Sequence, residues 1–116
     1  MLFLGIQEST IVVRPALQRE IKRCVQICND TWGNIFYASE SMLEKRRQAF
    51  FEGGIVVALV DGVVEGYLSF QQVNEPEVKG TWNQITDFGN MSGTHQANGD
   101  WIMGLGLAVT PEGTHK

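Results

Sequence analysis

Cysteine, proline and histidine are scarce in this chain of 116 residues, which carries two, three and two of them. Cys24 and Cys28 are spaced to share one side of a helix, where they serve as small apolar residues. A metal site would need further ligands, and His95 and His115 stand far away in sequence. Positive charge is thin as well: 9 Lys and Arg against 13 Asp and Glu leave a formal net charge of -4. That balance argues against a broad nucleic-acid footprint. The densest basic cluster, Lys45-Arg46-Arg47, reads as the solvated face of a helix. No stretch reaches the length of a membrane span. The opening Met1-Leu2-Phe3-Leu4-Gly5 is apolar, but it lacks a basic flank and turns polar at Gln7, too soon for a secretory signal. A cytoplasmic protein without nucleic-acid or membrane partners is the expectation.

What is present is an ordinary globular composition, 43% hydrophobic and 19% charged, without the polar bias of disorder. The length suits one domain or part of one. Ile11-Val12-Val13-Arg14, ended by Pro15, predicts a first strand. From Leu17 to about Trp32, apolar positions at Leu17, Ile21, Cys24 and Cys28 recur at threes and fours, the spacing of an amphipathic helix. Gly33 and Asn34 end it. Ser41 followed by Glu44 has the form of a capping box, and Met42, Leu43, Arg46, Ala49 and Phe50 predict a second helix before Gly53-Gly54.

Two strand-like runs, Ile55 to Val60 and Val63 to Phe70, are separated only by Asp61-Gly62, the strongest short-range signal for a tight antiparallel hairpin. Gln71 to Asp100 is polar, rich in Gly and Asn and contains Pro76. It reads as a long excursion anchored by Trp82, Ile85 and Phe88. Strand character returns from Trp101 to Val109, where Thr110-Pro111-Glu112-Gly113 breaks it. Gly104, Gly106 and Ala108 share one face of that strand under simple alternation. They leave it shallow, either for a ligand or for a packed helix or bulge.

This order of strand, two helices, hairpin and strand resembles the N-terminal portion of the GNAT N-acetyltransferase superfamily. The most telling stretch is Trp101-Ile102-Met103-Gly104-Leu105-Gly106-Leu107-Ala108-Val109-Thr110-Pro111-Glu112, which is similar to the family's central strand and its apolar-Ala-Val-x-Pro-Glu ending. The resemblance implies an α+β fold with a mixed, mostly antiparallel sheet, residues 1–116 forming the N-terminal part of one such domain. It implies acetyl-CoA as co-substrate, with Leu107, Ala108 and Val109 pairing their backbone with its pantetheine arm. Thr114, His115 and Lys116 fall where the family's pyrophosphate loop begins, and its two glycines and helix would follow. The hairpin's Val64-Glu65-Gly66-Tyr67 also fits. The implied activity is acetyl transfer from acetyl-CoA to a primary amine, small-molecule or peptide.

No catalytic residue carries over. Met103 stands where some members place a Glu, and Asp100 and Glu65 read as solvent-facing. Substrate contacts are expected from Trp32, Asn34, Phe36 and Tyr37, and from Glu75, Glu77, Trp82 and Asp87 in the excursion, although the aromatics also suit loop anchors and the acidic residues a solvated loop face. Two other readings stand beside the enzyme. One is a non-catalytic interaction module whose exposed sheet edge pairs with another chain, a homodimer included. The other is an unrelated small α+β sensory domain.

Overall fold

The computed structural model describes residues 10–33, 37–49, 54–74, 81–86, 88–91, 94–96, 98–111 and 113. Its elements run β1 (Ile11–Pro15), a short 3-10 helix (Gln18–Glu20), α1 (Ile21–Trp32), α2 (Glu40–Gln48), β2 (Ile55–Val60), β3 (Val63–Val73), α3 (Trp82–Thr86) and β4 (Trp101–Val109). The four strands form one sheet in the order β1-β2-β3-β4, and every pairing is antiparallel. The expected α+β class is what the chain adopts.

Asp61 and Gly62 turn the β2–β3 hairpin with φ of 50° and 85°. Positive φ at both central residues gives a turn whose twist matches that of the strands it joins. Asp61 also fastens β1: its carboxylate accepts from the Thr10 N–H at 2.9 Å and its own N–H donates to the Thr10 carbonyl at 2.9 Å.

Helices α1 and α2 cover one face of the sheet. Ile21, Cys24, Ile27 and Cys28 of α1 are buried with Leu43 of α2, against Ile55, Val57 and Leu59 of β2, Tyr67 of β3 and Ala108 of β4. Both cysteines are core residues, and burial pushes the Cys24 thiol up to about 12, so it stays protonated and inert. The buried stripe includes Ile27 and omits Leu17, which is 40% exposed ahead of the 3-10 turn. On the other face, the register aligns Ile11, Val13, Val63, Ile102 and Leu107, all exposed. No described helix is long and apolar enough to cross a membrane.

Two sequence expectations are corrected. The N-cap of α2 is Ser39, whose hydroxyl accepts from the Met42 N–H at 3.1 Å, while Ser41 lies inside the helix. β3 continues to Val73, beyond the expected end at Phe70. The excursion that follows is tied back to that strand end. Gln96 N–H donates to the Gln72 carbonyl at 2.8 Å, and Gln72 N–H to His95 Nδ1 at 3.1 Å.

One ion pair joins β1 to the start of α1. Arg14 grips Glu20 through both guanidinium nitrogens, at 2.7 and 2.8 Å, and Glu20 also accepts from the Leu17 N–H at 2.8 Å. The Arg14 hydrogen bond, opposed by desolvation, holds the Glu20 carboxyl below its usual range. Its stabilisation is therefore complete above the ordinary carboxylate pKa and is lost as pH falls through the lower folded value. Glu20→Gln is expected to reduce unfolding free energy by at most about 1 kcal/mol at neutral pH, the top of the range for a solvent-screened ion pair. Denaturant titration at neutral and acid pH checks both points, since the mutant's deficit should shrink in acid.

Candidate functional site

The pairing of β3 with β4 is not uniform. Ser69 opposes Gly106 and Phe70 opposes Gly104, so Leu105 is an extra residue on β4 without a partner. Such a bulge reverses the side-chain alternation that follows it. Gly106 and Ala108 therefore turn toward the helices, opposite Ser69 and Tyr67, while Gly104 lies on the other face. The expectation that Gly104, Gly106 and Ala108 share one face is overturned by that single inserted residue. The space around each glycine agrees. A Cβ at Gly106 would meet Ser69 Oγ at 3.4 Å, Arg46 Nη1 at 3.5 Å and the Tyr67 hydroxyl at 3.8 Å, whereas one at Gly104 would meet nothing within 4 Å.

In front of Gly106 lies a cavity of about 340 Å³, lined by Cys28, Trp32, Arg46, Tyr67, Trp82 and the backbone stretch Leu105 to Leu107. This is within the size range of small-ligand sites. Most of its wall is apolar, and its polar end is the meeting point of Arg46, Ser69 and Tyr67. Burial holds the Tyr67 phenol above its ordinary value, with a hydrogen bond to Cys28 adding to the shift, so the hydroxyl is present as a neutral donor.

Arg46 departs most from the sequence reading. Expected on a solvated face with Lys45 and Arg47, it is 1% exposed. Its Nε donates to the Gly89 carbonyl at 2.6 Å, Nη1 to Ser69 Oγ at 2.8 Å and Nη2 to the Met42 sulfur at 3.5 Å, with the Trp82 ring centroid 5.9 Å away. The segment presenting Gly89 is held by Thr86, whose hydroxyl accepts from the Gly89 N–H at 2.8 Å and whose carbonyl accepts from the Met91 N–H at 2.8 Å. The sequence did carry a signal, since Arg46 falls in the same stripe as Met42 and Leu43, but its charge pointed the other way.

The outer edge of β4 adjoins the cavity. Thr110 N–H donates to the Glu65 carbonyl at 2.8 Å. By strand alternation Ala108 also directs its backbone groups to β3, and Leu107 and Val109 direct theirs away. Of the three residues expected to pair with the pantetheine arm, two thus present backbone to the edge and the third contributes a buried methyl. Trp32 is placed beside them, its indole donating to the Leu107 carbonyl at 3.0 Å. Tyr37 is 72% exposed and does not line the cavity. Asn34, Phe36, Glu75, Glu77, Asp87, Thr114, His115 and Lys116 lie outside the described residues.

Neither carboxylate weighed as a base is poised for that role. Glu65, expected in solvent, is the extra residue of a second bulge, between β2 and β3. It sits on the helix side, paired with Arg23 at 3.1 Å and accepting the Thr110 hydroxyl. Asp100 is exposed beside the start of β4. Among the described residues, no group of three His, Cys, Asp or Glu is placed to hold a metal. The two glycines provide a direct check of the bulge. Gly106→Leu is expected to cost about 1–3 kcal/mol by overpacking against Arg46, while Gly104→Leu projects into open space and leaves stability within about 0.5 kcal/mol. Equal losses in denaturant unfolding would contradict the reversal of faces.

No family model matches the chain, and no curated protein matches it. Among solved structures, it is similar to the GphF GNAT-like decarboxylase in complex with isobutyryl-CoA, with TM-score 0.72 and 22% identity over 87% of this chain. It is also similar to the loading GNATL domain of CurA from Lyngbya majuscula, with TM-score 0.68 and 14% identity over 89% of this chain. The chain spans about half the length of these structures, 49% of each. Strand order, helix placement and these likenesses agree that the chain has a GNAT-like fold.

Proposed function

We propose that the chain forms the acyl-handling part of an acyl-CoA-utilising domain, and that the reaction is transfer of an acetyl group from acetyl-CoA to a primary amine. The observation that carries this reading is the bulge at Leu105, which sets an outward-facing strand edge at Leu107 and Val109 directly beside a cavity of about 340 Å³. An extended amide chain adds to such an edge through backbone hydrogen bonds, so its fit depends on geometry more than on side-chain identity. The pantetheine arm has two amides and that shape. The acyl group it delivers then enters the cavity toward Gly106.

At the cavity's polar end, Arg46 Nη1 is a donor held in place by Ser69, and the neutral Tyr67 hydroxyl lies beside it, able to turn from Cys28 toward a ligand. Donors fixed in an apolar enclosure stabilise a carbonyl oxygen as it gains negative charge under amine attack. The amine nitrogen bonds to the acyl carbon, the carbon–sulfur bond breaks, and the CoA thiolate leaves with its electron pair. The amine's surplus proton passes to water.

Arg46 supports a second reading. A buried guanidinium at the end of an apolar cavity suits an acyl group that itself ends in a carboxylate, and one of the similar structures is a decarboxylase. In that reaction the bond to the carboxylate breaks, CO2 leaves and the remaining carbon takes a proton from water. Assays separate the two. Thiol release from acetyl-CoA that depends on added amine is the expected result, whereas amine-independent CO2 release from malonyl-CoA establishes the second reading. Absence of calorimetric binding to either acyl-CoA at about 1 mM, the top of the usual KM range, sinks both.

A further inference from the structure

Trp32 is the last residue of α1 and is 42% exposed, yet its indole N–H is committed to a single acceptor, the Leu107 carbonyl at 3.0 Å. That carbonyl lies on the outer edge of β4, where an added strand or an extended amide would place its own N–H. The same ring forms part of the cavity wall. One side chain thus occupies both the hydrogen-bonding position on the edge and the boundary of the cavity beside it.

Resting on the acyl-CoA reading above, we propose that Trp32 is a latch on the ligand edge of β4. Its indole N–H occupies the position of a ligand amide at Leu107. When the pantetheine arm binds, a ligand N–H replaces the indole and the ring swings outward. The exchange is close to balanced because one N–H is traded for another at the same oxygen. Its location favours movement: Trp32 ends its helix at Gly33, so a rotation of the side chain disturbs no following turn of α1.

Trp32→Phe keeps an aromatic ring at the position and removes the N–H. If the indole must be displaced, the variant is expected to bind acetyl-CoA about three- to tenfold more tightly than the unmodified protein, the scale of one neutral hydrogen bond. A second readout does not depend on comparing affinities. The Trp32 indole N–H resonance, assigned by its absence from the Trp32→Phe spectrum, should exchange slowly with solvent in the free protein and faster at saturating acetyl-CoA. Equal affinities with an indole resonance unmoved by bound ligand overturn the latch and leave the acyl-CoA reading standing. Weaker binding by the variant also overturns it, making Trp32 a wall of the occupied site. Binding by neither protein removes the acyl-CoA reading and the latch together.

Discussion

A guanidinium that is 1% exposed has to be satisfied by what surrounds it, because a buried charge without hydrogen bonds costs several kcal/mol, on the order of its lost hydration. Arg46 meets that requirement by drawing separate parts of the chain to one point. Its own helix supplies Met42, β3 supplies Ser69, and the turn after α3 supplies Gly89. Desolvation lowers its pKa, but an arginine so placed keeps its charge at any physiological pH. The convergence fixes where α2 lies on the sheet and orders a segment that is otherwise short of regular structure. It also places a permanent cation at the end of an apolar cavity.

That cavity exists because the sheet opposite Arg46 is thin. The extra residue at Leu105 brings Gly106 to the helix side, and a glycine is what leaves Arg46, Ser69 and Tyr67 facing open space. The same insertion comes two residues before the edge carbonyl of Leu107. Cavity and edge are consequences of one irregularity in one strand, so the proposed acyl and pantetheine positions are geometrically coupled. The second bulge, at Glu65, has a different outcome. It turns a carboxylate inward to Arg23 and Thr110, where it locks β3, α1 and the end of β4 together.

The framework was legible in the sequence wherever local chemistry decides the outcome. Asp61-Gly62 between two apolar runs specified the hairpin, Pro15 the end of β1, and the stretch ending at Val109 the strand on which the family resemblance rests. What was not legible depends on partners distant in sequence. A bulge is a mismatch in count between two strands, and neither strand shows it alone, so alternation wrongly grouped Gly104 with Gly106. Arg46 and Glu65 are charged residues whose burial is decided by Ser69, Gly89, Arg23 and Thr110, all at least 20 positions away. Ser39 and Ser41 are both acceptable caps, and the path of the backbone entering α2 selects the first.

As proposed, the bulge at Leu105 builds one continuous site from the edge of β4 to the Arg46 end of the cavity. The most direct measurement is a crystal structure of the protein with a thioether analogue of acetyl-CoA, which cannot transfer its acyl group. The pantetheine arm is expected alongside Leu107 and Val109, with the acyl carbon between Tyr67, Arg46 and Gly106. An analogue bound on the opposite face, over Gly104, or away from β4 altogether would contradict it.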